Sequence, residues 1–286
     1  MVPESFVVPP TDTAAAPRAS TRPAAVHRVV GLQSPVADED LLAVEEPLEI
    51  RIEGEPVAVT MRTPGADLDL VVGFLLTEGV IDGADDLHAI AHVDDPRDPR
   101  GNTVDCILAG GVPAARRDRA RRELYASSAC GVCGKASIDR VFLAVPERTP
   151  EPPPAPAVLH ALPERLRAAQ TVFGHTGGLH AAALFDAAGQ LLVLREDIGR
   201  HNAVDKVVGA CLRGDAPVGS GRILLVSGRA GFEIVQKAIL AGVSVLASVG
   251  APSSLAVELA ERCGLVLVGF LRDGRYNLYT PPDDRS

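Results

Sequence analysis

The segment Ser127-Ser128-Ala129-Cys130-Gly131-Val132-Cys133-Gly134-Lys135 sets two thiols three residues apart among small residues and glycines. Such surroundings imply an accessible loop rather than a packed strand. The thiolate is the reactive form, and Lys135, together with a helix that could begin near Ser137, would favour it. Three chemistries fit the pair. Structural zinc needs four ligands, and with no second Cys-x-x-Cys the rest would have to come from Cys106, Cys211, Cys263, His175 or His180. A thiol–disulfide oxidoreductase carries its pair beside a βαβ unit, whereas this one precedes a proline-rich stretch. A sulfur carrier needs one accessible nucleophile that holds sulfur as a persulfide. Spacing alone leaves all three open, with Cys130 and Cys133 as the candidate catalytic residues. Cys106, in an apolar strand, and Cys211 and Cys263, at helix ends, read as small buried hydrophobes.

Two further segments concentrate polar chemistry. Phe173-Gly174-His175-Thr176-Gly177-Gly178-Leu179-His180 is either a ligand loop or a glycine-rich turn with hydrogen-bonded imidazoles. Arg195-Glu196-Asp197-Ile198-Gly199-Arg200-His201-Asn202 is either a substrate contact or a solvated loop in which Asp197 or Asn202 caps a helix. Zinc deaminases carry His-x-Glu upstream of Pro-Cys-x-x-Cys. Here Ala182 stands where that carboxylate would be and the cysteines precede the histidine, which argues against deamination.

The elements that must position these groups follow from periodicity. In the first half, Leu48 to Ile52 and Val57 to Met61 read as strands around a turn at Glu53-Gly54-Glu55. A helix capped by Asp67 runs through Leu70, Val71, Phe74 and Leu75, and Thr103 to Leu108 is a further strand. In the second half, Ala181 to Phe185 and Leu191 to Leu194 flank the turn Asp186-Ala187-Ala188-Gly189. Asn202 to Cys211 is a helix. Strands at Ile223–Val226, Val243–Ala247 and Leu265–Phe270 then alternate with helices at Phe232–Leu240 and Ser253–Cys263. Right-handed crossovers make that succession a parallel sheet. The segments that follow its strands, Ser227-Gly228-Arg229, Ser248 to Pro252 and Leu271-Arg272-Asp273-Gly274-Arg275, should meet at one carboxyl edge. Three arginines there suit phosphates.

The fold expected is α/β, with a smaller α+β N-terminal subdomain. The organisation expected is a disordered tail over residues 1–26, an α+β part with the cysteine loop over 27–145, a proline-rich linker over 146–163 and an α/β part over 164–286. A net charge of −9 opposes general nucleic-acid binding. No apolar run reaches the length of a membrane span. The tail lacks a secretory core, and an odd cysteine count argues for reduced thiols in a cytoplasmic protein.

Taken together, five ordered motifs resemble the formate dehydrogenase accessory sulfurtransferases, the FdhD family. They are Ser127 to Gly134, Gly174 to His180, Asp197-Ile198-Gly199-Arg200-His201-Asn202-Ala203-Val204-Asp205-Lys206, Ser227-Gly228-Arg229, and Gly269-Phe270-Leu271-Arg272 through Asn277-Leu278-Tyr279. The resemblance covers about Val26 to Thr280. It implies a carrier that takes sulfur from a cysteine desulfurase as a Cys130 persulfide, with Cys133 assisting. The sulfur would pass to the bis(molybdopterin guanine dinucleotide) molybdenum cofactor, held as cargo rather than permanently, before insertion into formate dehydrogenase. The resemblance places the guanine-dinucleotide site at Phe270, Leu271, Arg272, Asp273, Gly274 and Arg275, and the sheet edge adds Ser227, Gly228 and Arg229. It also implies a homodimer and a cytidine-deaminase-like three-layer α/β core in the C-terminal half. The rival expectation is a zinc-stabilised module that escorts cofactor or dehydrogenase without handling sulfur.

Overall fold

The computed structural model describes residues 19–94, 96, 98–113, 115–116, 151–216 and 218–280. Cys130 and Cys133 lie outside the described residues.

The described chain is mixed α/β. It opens with a hairpin of β1 (Thr21–Arg28) and β2 (Val36–Ala43), paired from Thr21↔Ala43 to Arg28↔Val36. A four-stranded sheet follows, made by β3 (Glu46–Ile52), β4 (Glu55–Arg62), β5 (Leu87–His92) and β6 (Thr103–Leu108) in the order β4-β3-β6-β5. Helix α1 (Asp67–Thr77) connects β4 to β5 by way of a 3-10 turn at Ala84–Asp86. After α2 (Pro156–Ala169) and the short α3 (Thr171–Thr176) comes the larger unit. It comprises β7 (His180–Phe185), β8 (Leu191–Asp197), α4 (Arg200–Leu212), β9 (Ile223–Val226), α5 (Phe232–Ala241), β10 (Val245–Ser248), α6 (Ser254–Arg262), β11 (Val266–Arg272) and β12 (Arg275–Leu278).

Its sheet runs β12-β11-β10-β9-β7-β8, with β9, β10 and β11 parallel and the outer pairs antiparallel. Alternation along the strands gives the sheet two apolar faces. Ala183, Phe185, Leu225, Ala247 and Val268 face α2 and bury its Leu159, Leu162 and Leu166. Ala182, Leu184, Leu224, Leu246 and Leu267 face the other way, towards α4, α5 and α6. That second core continues without interruption through α1 into Leu48, Ile50, Val104 and Cys106 of the four-stranded sheet. The two halves therefore share one core.

Glycine makes this junction possible where α1 crosses α4. A Cβ at Gly73 would sit 1.8 Å from the carbonyl oxygen of Asp205, and one at Gly209 1.8 Å from that of Asp69. No side chain fits between backbones so close.

Three expectations need correction. Residues 21–26 are not tail, because they form β1. Pairing with β2 holds this strand while its side chains stay largely exposed, so no burial pattern marks it in the sequence. The linker does not reach 163, because α2 starts at Pro156. Proline is tolerated in the first helical turn, and Leu159, Leu162 and Leu166 give the apolar stripe that docks the helix despite Pro163. Asp67 does not cap α1. Ala66 is the N-cap, at φ 55°, and the Asp67 carboxylate is taken by buried Arg62.

Candidate functional site

The carboxyl edge of the parallel strands assembles as the strand order dictates. Val226 ends β9, and Ser227 then ties β9 to the start of β7: its N–H donates to Ala181 O and its Oγ accepts from Ala181 N, each at 2.9 Å. The turns after the three parallel strands lean directly on one another. Gly250 N donates to Gly228 O and Phe270 N donates to Gly250 O, both at 3.0 Å. A Cβ on Gly250 would lie 3.0 Å from Gly228 O, and one on Gly269 would lie 2.8 Å from Pro252 Cδ, so glycine is required for this backbone ledge.

The segment after β11 is a hairpin rather than a loop. The strand runs on to Arg272, a register shift falls between Gly269 and Arg272, and Arg272 pairs with Arg275 across Asp273-Gly274. Asp273 and Gly274 have φ of 53° and 69°, the positive pair that a tight type I′ turn requires. Phe270 also takes a positive φ, 53°, at the shift, which re-aims the chain where it leaves the ledge. Arg272, Asp273, Gly274 and Arg275 are exposed at the tip and Phe270 is half-buried. Leu271 is fully buried in the core beneath α2, so only its backbone can meet a ligand.

Four further side chains complete the edge, of which only Glu233 lies outside the segments singled out in the sequence. A Cβ on Gly228 would stand 3.6 Å from both His180 Nδ1 and Arg200 Cδ, which places these two groups side by side over the turn. His201 Nε2 lies 3.0 Å from Glu233 Oε2, joining the first turns of α4 and α5. Burial, then the neighbouring charges of Arg200 and His201, hold the His180 imidazole below the usual histidine range, although Asp197 opposes them. His180 and Arg200 come from the two motifs recognised in sequence. Glu233 carried no signal, because only the packing of α5 on α4 brings it to His201.

Other members of those motifs are structural. The Asp197 carboxylate, wholly buried, takes Lys206 Nζ at 2.7 Å, Thr63 N at 3.1 Å, Gly199 N at 2.8 Å and Asn202 Nδ2 at 3.0 Å. Asn202 also donates to Met61 O, and Lys206 to Thr63 O. Asp205 receives Lys237 Nζ at 2.9 Å and Thr77 Oγ1 at 2.7 Å, with Glu78 3.3 Å from the same ammonium. Burial pulls Lys237 down, but Asp205 and Glu78 outweigh it and hold the ammonium charged. Asp69 binds Arg195, which also meets Asp215, and Arg213. These pairs stitch the α+β half to the second half. His175, at the exposed end of α3, joins neither group, and the first three N–H groups of that helix are spent on the Glu196 carboxylate.

Charge at the edge is not balanced in this way. The side chains of Arg200, Arg229, Arg272 and Arg275 have no hydrogen-bond or ion-pair partner among the described residues. The three cysteines described are, as expected, core residues: burial pushes the Cys106 thiol far up and the Cys211 thiol up to about 11, and Cys263 is 1% exposed.

Residues 43–285 match the model of the FdhD/NarQ family. The chain belongs to that family. It is 51% identical over 254 residues to a sulfur carrier protein FdhD of Mycolicibacterium paratuberculosis, which covers 87% of this chain and 93% of that relative. A sulfur carrier protein FdhD of Anaeromyxobacter dehalogenans is 48% identical over 275 residues, covering 92% of this chain and 94% of its own. A crystal structure from Desulfotalea psychrophila, of a protein assigned as a formate dehydrogenase accessory protein, superposes with a TM-score of 0.70 at 23% identity. It spans 93% of this chain and 99% of its own, and at that identity it speaks to the fold alone. The matched residues begin at the end of β2, so most of the β1–β2 hairpin precedes the region that the family model describes.

Proposed function

We propose that this protein is a sulfur carrier that serves formate dehydrogenase. The Cys130 thiolate attacks the outer sulfur of a cysteine desulfurase persulfide. One S–S bond breaks and another forms, the desulfurase leaves as a thiolate, and Cys130 holds the sulfane sulfur without net redox change. The cargo that receives it is the bis(molybdopterin guanine dinucleotide) molybdenum cofactor, before insertion into the dehydrogenase. Cys133 assists by attacking the inner sulfur of the Cys130 persulfide. That attack expels the outer sulfur as hydrosulfide and leaves a Cys130–Cys133 disulfide, the two thiols supplying the electrons.

The observation that carries this reading is the unbalanced carboxyl edge. Arg229, Arg272 and Arg275 stand without carboxylate partners among the described residues, on a chain that is acidic overall. Anionic cargo with nucleotide diphosphate arms has the complementary charge. Ser227 and Gly228 would offer it the ledge, and Phe270 through Arg275 the projecting hairpin. Half-identity to proteins named sulfur carriers, over most of the chain, supports the same function. We read the layered helix–sheet–helix core as a cytidine-deaminase-like scaffold in which Ala182, buried in β7, leaves no acid–base group for deamination. The working form is a cytoplasmic homodimer.

The test is mass spectrometry of the protein after incubation with a cysteine desulfurase and free cysteine. One added sulfur on the Cys130 peptide, labile to reductant and absent in Cys130→Ala, is expected. No added sulfur on either cysteine, with the desulfurase active in the same tube, would replace this reading with that of a zinc-bearing or cofactor-escorting module.

A further inference from the structure

The cationic edge divides into two places. One is the Arg272–Arg275 hairpin tip. The other lies two strands away, about 10 Å across the sheet at ordinary strand spacing, where His180 and Arg200 gather over the turn at Gly228. His180 Nδ1 and Arg200 Cδ each lie 3.6 Å from one point beside Gly228, so they are no more than 7.2 Å (3.6 plus 3.6) apart. The Arg200 guanidinium is not spoken for. Asp197, the buried carboxylate whose charge acts on His180, is consumed by Lys206 and three further donors. Glu233 is set against His201. Arg200 and the adjacent Arg229 have no partner among the described residues.

We propose that His180 and Arg200, over Gly228, form a second anion subsite, for a phosphate or diphosphate group, distinct from the hairpin that carries Arg272 and Arg275. The inference rests on the reading of this edge as a cargo site and adds to it a division of labour. Two separate anion positions allow the edge to hold a ligand by both ends, or to hold both arms of a two-armed ligand. The groups that face the His180 ring are Arg200 and His201 of α4 and Asp197 of β8, with Glu233 of α5 behind His201. With the ring kept neutral in the free protein, an arriving anion reverses the local field and draws a proton onto it. Binding therefore takes up a proton through His180. Affinity rises as pH falls from the bound-state pKa of the ring towards its lowered free-state value, and levels off below that.

The experiment is calorimetric titration of the full chain with GDP, in two buffers of different ionisation enthalpy, for the wild type, Arg200→Ala, Arg200→Lys and His180→Gln. Thermal unfolding checks that each variant is folded. Arg200→Ala should bind at least about tenfold more weakly, a loss of about 1.4 kcal/mol, with Arg200→Lys in between. His180→Gln should lose the buffer-dependent proton uptake that the wild type displays, which a merely structural imidazole would not affect. Wild-type GDP binding that Arg200→Ala changes by less than twofold, with proton uptake retained in His180→Gln, overturns the subsite and leaves the cargo reading standing. A wild type that does not bind GDP at all overturns both.

Discussion

Two polar regions of this molecule are built from the same residue types and behave in opposite ways. In and beside the seam between the halves, buried Arg62, Lys206 and Lys237 each face a carboxylate across 2.7–2.9 Å. At the carboxyl edge, Arg200, Arg229, Arg272 and Arg275 face none among the described residues. A buried charge must be matched or it destabilises the fold, so the seam is saturated. An exposed arginine costs little while it waits, so the edge can keep its charge for a ligand. The lesson concerns the run Asp197 to Lys206, which spans both regions. Asp197, Asn202, Asp205 and Lys206 point into the seam, and Arg200 and His201 point to the edge. One charged motif thus divides its groups between buried pairs that serve the fold and side chains left at the edge for the proposed ligand.

The largest effect that would break this comparison lies in the seam. Lys237→Ala strands the Asp205 carboxylate in the core and should cost about 3–5 kcal/mol, lowering Tm by roughly 10 °C in thermal unfolding. Replacing both partners, Asp205→Leu with Lys237→Met, should recover most of that loss. Singles that cost under about 1 kcal/mol would mean that the seam does not hold the halves together. Next in size is Gly209→Ala, which drives a methyl group into the α1 backbone at Asp69 and should cost about 1–3 kcal/mol by denaturant titration. The smallest stability effect belongs to the edge. Arg272→Ala and Arg275→Ala should each change stability by no more than about 0.5 kcal/mol, while GDP affinity measured on the same samples falls. A marked loss of stability there would make the hairpin arginines part of the fold.

Much of this was legible from residue patterns. The β9-α5-β10-α6-β11 succession is set by alternating apolar runs and turn residues, and handedness alone then places Ser227-Gly228-Arg229 and Arg272–Arg275 at one edge. Cys106, Cys211 and Cys263 sit in apolar stretches, and their burial could be read from that setting. The elements missed are those whose signal is weak locally. β1 is exposed and held by pairing, and α2 hides its Leu159-Leu162-Leu166 stripe among prolines.

The parallel sheet, the thiol pair and the family motifs can be read without any coordinates, because periodicity and residue chemistry are local properties. Which charges of Asp197 to Lys206 are structural is set by packing. That depends on what lies opposite: Met61 and Thr63 of the first half on one face, and Gly228 and Glu233 on the other. Contacts so distant along the chain leave no periodic trace. Likewise, the glycine crossing of α1 on α4 and the pairing of His201 with Glu233 exist only once helices from separate parts of the sequence pack at backbone distance.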